Sequence, residues 1–161
     1  MKANVFTTLV LAAAILAGNA AAGARDEATV VMSDKPAMAA IENEWGFSDA
    51  IVAGDTVYLS GVVAGLKNGD GDLQAAYARA FDKLGAILAK AGASWDDVVE
   101  ITSYHTDVKA QMPAMVAAKK KYVRAPYPAW TAVQVVRLIP DNGITEIKLI
   151  ARLPSRLQPV R

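Results

Sequence analysis

The sequence predicts an α+β domain, a mostly antiparallel sheet with two helices laid on one face. Three observations carry that expectation. β-type runs occupy residues 51–60, 130–138 and 145–153, and each is bounded by turn residues such as Gly54-Asp55 and Pro140-Asp141-Asn142-Gly143. Residues 73–91 place Leu73, Tyr77, Phe81, Leu84, Leu88 and Ala91 at three- and four-residue steps, the period of an amphipathic helix. The element order β-β-β-α-β-α-β-β then leaves both helices to cover the same side of the sheet.

The chain has 161 residues, a length suited to one domain. Its first 24 residues read as a secretory signal peptide. Lys2 gives a positive start, residues 5–16 form an uncharged apolar run, and small residues at 19–24 suit cleavage near Ala22 or Ala24. The apolar run is shorter than the ~20 residues a membrane-spanning helix needs. Residues 25–161 form the single mature domain, expected to be periplasmic or secreted. Only Lys2 is charged in the leader, so the mature chain carries 16 basic and 16 acidic residues. That balance argues against binding nucleic acid or anionic membranes through charge. The chain has no cysteine, which excludes disulfides, thiol nucleophiles and thiolate metal sites.

Along the mature chain, residues 29–32 are a short β-type run and residues 36–44 read as irregular. Residues 51–53 and 56–60 form a hairpin across Gly54-Asp55, and residues 67–72 form a loop. Asp72 caps the first helix, which runs to about Ala91 with Arg79, Asp82, Lys83 and Lys90 on its wet side, and Gly92 stops it. Residues 98–106 form a strand. Pro113 suits the first turn of a second helix reaching about Tyr122. Residues 130–138 and 145–153 close the domain as a last hairpin.

Strand alternation sorts the side chains of that hairpin. Ile147, Leu149 and Ala151 point one way and Glu146, Lys148, Ile150 and Arg152 the other; Val133 and Val135 alternate with Trp130, Ala132, Gln134 and Val136. The apolar set suits the helices. The set with Trp130, Gln134, Glu146 and Lys148 suits a wet subunit interface holding a ligand pocket, and an oligomer is expected.

Few side chains suggest chemistry. His105 is the one histidine, so a transition-metal site lacks ligands and no metal or cofactor is expected. Ser60 or Ser103 with His105 and Asp107 makes a triad only on paper, and a structural histidine bonded to backbone is the simpler reading. Asp70-Gly71-Asp72 lacks the remaining spacing of a calcium loop. Lys119-Lys120-Lys121 reads as a solvated helix face. Trp130, with Tyr127 beside it, could wall an apolar ligand pocket or plug a core. Lys148 could pair with Glu146 or Glu100, bind an anionic ligand, or act as a base or amine nucleophile once desolvated.

Several segments resemble the Rid family (reactive-intermediate deaminases, also called YjgF-like) over residues 44–153. The segments are Trp45-Gly46-Phe47-Ser48-Asp49-Ala50-Ile51, Val57-Tyr58-Leu59-Ser60-Gly61, residues 94–107, Tyr127-Pro128-Ala129-Trp130-Thr131-Ala132-Val133 and residues 146–153. The last two are most similar to the family's YjgH-like branch. The resemblance implies a chorismate-mutase-like subunit assembled as a homotrimer with clefts between subunits. In deaminase members an Arg binds the carboxylate of a 2-imino or enamino acid, and a Glu helps position water for hydrolysis to the 2-oxo acid and ammonia. Here Trp130 stands at the place of the Arg, Lys148 at that of the Glu and Phe47 at that of a cleft Tyr. Losing a bidentate Arg removes charge-assisted hydrogen bonds of roughly 1.5–3 kcal/mol each, and losing the carboxylate removes the obvious base.

The expectation is an exported homologue that binds a small molecule through Trp130, Lys148, Phe47, Tyr127, Gly61 and Ser60, with the Arg-dependent chemistry lost and Lys148 the candidate catalytic group. One alternative is an imine or enamine hydrolase with a rebuilt site. Another is a holdase-like or other interaction role.

Overall fold

A computed structural model describes residues 23–67 and 71–154. The leader assigned to residues 1–24 lies almost wholly outside the described residues. Seven strands form one sheet: β1 (Thr29–Val31), β2 (Ala50–Ala53), β3 (Thr56–Leu59), β4 (Val62–Gly65), β5 (Val98–His105), β6 (Ala129–Gln134) and β7 (Gly143–Arg152). Their order is β1-β2-β3-β7-β5-β6, with β4 also paired to β7. Three helices accompany them: α1 (Pro36–Trp45), α2 (Leu73–Lys90) and α3 (Val108–Lys119).

The first helix departs from the sequence reading, which left residues 36–44 irregular. Pro36 occupies the first turn, where its missing N–H costs nothing, and Gly46 closes the helix at φ 71°. Between them the Ala, Met and Glu residues have good helix propensity. The short apolar stripe of α1 hides this pattern.

Helix α2 follows expectation. The Asp72 carboxylate accepts from the Gln74 and Ala75 N–H groups at 2.8 and 3.2 Å, and Gly92 ends the segment at φ 81°. Its buried face, with Tyr77, Phe81, Leu84 and Leu88, lies on the sheet. Phe81 stacks on Tyr122 with ring centres 5.0 Å apart, and Trp95 completes an aromatic cluster at 5.5 Å from Phe81.

Helix α3 starts earlier than its proline suggests. Asp107 is the cap, accepting from the Ala110 N–H at 3.0 Å, and Pro113 sits inside the helix. The proline removes one backbone hydrogen bond, a loss offset by capping and by burial of Gln111 and Met115.

The last two strands are not a hairpin. Strand β5 lies between them, antiparallel to β7 and parallel to β6. The connection β5-α3-β6 is a crossover, which parallel strands require, so β6 becomes a sheet edge. Strands β3 and β4 run along one flank of β7, Thr56 opposite Arg152 and Val62 opposite Ile147, with a break at Ser60 and Gly61. That break opens the sheet where the site forms.

Candidate functional site

Alternation along β7 separates two environments. Ile147, Leu149 and Ala151 are fully buried beneath the helices, while Glu146, Lys148, Ile150 and Arg152 project from the opposite face. On β5, Tyr104 is opposite Glu146 and Thr102 opposite Lys148. Beside them the chain break brings Ser60 and Gly61 to the same face. The Ser60 N–H donates to the Asp49 carbonyl at 2.9 Å and its hydroxyl to the Ser48 carbonyl at 2.6 Å.

These groups enclose a cavity of about 590 Å³ lined by Lys148, Glu146, Tyr104, Tyr58, Ser60 and Gly61, with Leu138 and Val135 among its apolar walls. No carboxylate lies within ion-pair distance of Lys148 among the described residues. The pairing with Glu146 or Glu100 considered from sequence is therefore not made. Glu100 instead accepts from the Thr102 hydroxyl at 3.2 Å. Lys148 is exposed, so one chain alone does not supply the desolvation that an amine base or nucleophile requires.

Gly61 is required by the approach of Glu146. A Cβ at position 61 would stand 1.8 Å from Glu146 Oε1 and 2.6 Å from its Cδ. Any side chain there evicts the carboxylate from the wall it forms.

Trp130 and Tyr127 do not join this cavity. Trp130 pairs with Ile101 across the parallel β5–β6 ladder, so its ring lies on the helix side. Its indole N–H donates to the Ser103 hydroxyl at 2.9 Å. Gln134 takes the same side and accepts from the Val108 N–H at 3.2 Å, whereas Val135 lines the open-face cavity. The faces of β6 are thus the reverse of the sequence assignment. The valines went to the helices on apolarity alone, but β6 is a sheet edge, and the two ends of α3 meet it at Gln134 and Trp130.

Lys119 also departs from the solvated-face reading. Its ammonium stands 4.0 Å from the Trp130 ring centre and 5.9 Å from that of Tyr127, a cation–π arrangement. Partial burial lowers its pKa, and the neighbouring Lys120 adds to the effect.

Behind Trp130 a polar chain enters the core. Ser103 Oγ is 2.9 Å from His105 Nε2, and His105 Nδ1 is 3.0 Å from Thr145 Oγ1. Thr145 continues to the Tyr77 hydroxyl at 2.7 Å and to Gln111 Oε1 at 3.3 Å. His105 is therefore held by side-chain hydroxyls, not by backbone as expected. Burial lowers its pKa against a smaller opposing hydrogen bond from Gln111, and burial raises that of Tyr77. Asp107 is spent on capping α3 and Ser60 lies on the other face, so no Ser-His-Asp set assembles.

Phe47 is partly exposed and walls a neighbouring cavity of about 430 Å³ that shares Ser48, Ile51 and Ser60 with the first. Of the six binding residues expected from sequence, Lys148, Ser60 and Gly61 converge, Phe47 adjoins them, and Trp130 and Tyr127 lie across the sheet. Glu146, Tyr104 and Tyr58 were missed as site residues. The alternation that put Glu146 beside Lys148 was signal enough for the first, but the tyrosines needed the strand order. Among the described residues no cluster of three His, Cys, Asp or Glu side chains could hold a metal, and no helix is long and apolar enough to cross a membrane.

A mixed seven-stranded sheet with helices on one face and a cavity on the other defines a YjgF-type α+β subunit. The chain belongs to the Endoribonuclease L-PSP family (YjgF/Rid), whose family model matches residues 37–153. It is 40% identical to RutC family protein YjgH of Escherichia coli K12 over 116 residues, 70% of this chain and 87% of that protein. A solved structure of protein YjgH superposes with a TM-score of 0.67 at 36% identity, covering 81% of this chain and 99% of the other. A 2-iminobutanoate/2-iminopropanoate deaminase of Dermatophagoides farinae is 30% identical over 108 residues, 65% of this chain and 83% of that protein.

Proposed function

We propose that the protein binds a small anionic molecule in the open-face cavity, with Lys148 as its cation and the family's Arg-dependent imine deaminase chemistry lost. The observation that carries this reading is Lys148 itself. It is a lysine without a carboxylate partner among the described residues, in a cavity of about 590 Å³ beside two tyrosines. Such a charge in a concave, partly aromatic wall favours an anion.

A homotrimer completes the reading. In one chain the Trp130 group and the Lys148 group are on opposite faces, so a cleft that uses both needs a second copy to bring an edge strand over the neighbour's open face. Tyr58, Val133 and Ile139 are exposed at 47%, 42% and 63%, apolar surface that such an assembly covers. Light scattering at the trimer mass is the expected result, and a monomer removes the shared cleft.

The binding test uses 2-oxobutanoate and benzoate as probes in thermal-shift titrations. Both are expected to stabilise the wild type, and Lys148→Ala is expected to abolish the shift. Equal shifts in the two proteins count against Lys148 as the cation.

An imine hydrolase with a rebuilt site is the second reading, and Glu146 is what favours it. It restores a carboxylate to the cavity two residues from Lys148 on the same strand face. Ammonia released from amino-acid-derived imines by the wild type, and lost in Glu146→Gln, selects this reading; background rates in the wild type remove it.

Export completes the proposal. The mature protein starts near residue 23 or 25 and works outside the cytoplasm. Intact mass of the protein recovered from its native host is expected to lack the leader, and a mass retaining Lys2 rules this out.

A further inference from the structure

The neighbouring cavity has a feature that the anion site does not use. Glu42 on α1 is completely buried, 0% exposed. One carboxylate oxygen, Oε2, accepts from the Ser33 N–H at 2.9 Å. The other, Oε1, is sealed from solvent and has no hydrogen-bond partner among the described residues. Buried carboxylates are paired or hydrogen-bonded in nearly all folded proteins, because an unpartnered buried oxygen forfeits its hydration without return. No lysine, arginine or histidine among the described residues pairs with it.

Glu42 forms part of the wall of the cavity of about 430 Å³, together with Phe47, Val30, Ile51, Ser60 and Arg25. The rim of this cavity is apolar and partly exposed, Val30 at 54% and Phe47 at 38%. An acceptor without a donor, beneath an apolar mouth, calls for an N–H-bearing cation carried on an apolar body. We infer that this cavity is a second binding site, for an organic primary ammonium, with Glu42 Oε1 accepting the ammonium hydrogen bond and Phe47 and Val30 covering its hydrocarbon part. The site does not rest on Lys148 binding an anion: its acceptor and its ligand charge are different, although the two cavities share Ser48, Ile51 and Ser60. Reaching Glu42 requires a local shift of the cavity wall, because the carboxylate is fully buried.

Benzylammonium is the probe, with benzyl alcohol as the neutral control of the same shape, each titrated against the purified protein by calorimetry. The expected result is saturable binding of benzylammonium, at least tenfold weaker binding of benzyl alcohol, and at least a tenfold loss of benzylammonium affinity in Glu42→Gln. That variant keeps a carbonyl for the Ser33 N–H, so the β1–α1 turn is retained. Equal binding of the two probes, or unchanged affinity in the variant, overturns the assignment. Should Glu42→Gln fail to fold, the ¹³C shift of the Glu42 carboxyl in wild-type protein is followed during the titration, and no movement at saturation overturns it as well. Arg25→Ala guards against an internal partner. An Arg25→Ala protein that loses as much stability as Glu42→Gln means that Glu42 serves Arg25 and not a ligand.

Discussion

His105→Ala is expected to destabilise the fold by about 3–5 kcal/mol, in the far tail of single substitutions. His105 is 0% exposed and bonded at both ring nitrogens, to Ser103 and to Thr145. Removing the ring leaves a cavity, and large-to-small changes in cores cost about 2–5 kcal/mol. It also strips a partner from two buried hydroxyls, and a polar group left unsatisfied costs about 1–3 kcal/mol. Ser103 keeps Trp130 and Thr145 keeps Tyr77 and Gln111, which holds the sum within that range. Urea unfolding checks it, with the midpoint falling at an unchanged slope; a loss under about 1 kcal/mol would show that the chain of hydroxyls closes without the imidazole.

The same residue gives the protein an acid-sensitive stability. Burial lowers the His105 pKa in the folded chain below its ordinary value near 6.5. The unfolded chain therefore binds more protons than the native one once pH falls below about 6.5. Stability declines with pH from there to the lower folded pKa and then levels off as far as this group is concerned. As the only histidine, His105 makes the comparison clean: the difference in unfolding free energy between wild type and His105→Ala is expected to shrink across that window. A difference that is flat from pH 7.5 to 5 contradicts a neutral buried imidazole.

The network around His105 also marks where the sequence was legible and where it was not. Helix α2, the strand at 98–105 and the inward set Ile147, Leu149 and Ala151 were readable because burial of one face imposes its period on the residues themselves. Helix α1 was not, since a ten-residue helix shows its caps, Pro36 and Gly46, more plainly than its apolar stripe. The false hairpin at 130–153 arose because β-type runs carry no label for their neighbour. Strand order is set by the β5-α3-β6 crossover, which acts across 37 residues. From that one error came the reversed faces of β6 and the placing of Trp130 beside Lys148. The buried hydroxyl chain had no sequence signature, because Tyr77, Ser103, His105 and Thr145 meet only when α2, β5 and β7 pack. Glu42 was likewise invisible, since a glutamate on a short helix ordinarily faces water.

Trp130→Arg combined with Lys148→Glu is expected to gain ammonia release from 2-imino acids, about 10²–10⁴-fold over the wild type, the range that a positioned acid or base contributes. The reason lies in two of the three positions where the chain departs from the deaminase pattern its segments resemble, Trp130 and Lys148. A guanidinium holds a carboxylate by two parallel hydrogen bonds that an indole cannot make, and a carboxylate can orient water where an ammonium repels the same proton transfer. Neither change suffices alone, because the groups do different work and, in one chain, face opposite sides of the sheet. Both single variants are expected to stay at background.

The replacement has a structural cost. It removes the indole hydrogen bond to Ser103 and the cation–π contact with Lys119, together about 1–3 kcal/mol, and sets a second positive charge beside Lys119. Lys119→Ala in the same background is therefore expected to raise stability without lowering the new activity. Light scattering keeps the test interpretable, because in one chain the two groups face opposite sides of the sheet and only the proposed trimer would bring them together. A double variant that assembles as the wild type does and still releases ammonia at background would mean that the chemistry was lost elsewhere. The first place to look is then Phe47, where the family resemblance has a tyrosine hydroxyl and this chain has only a ring.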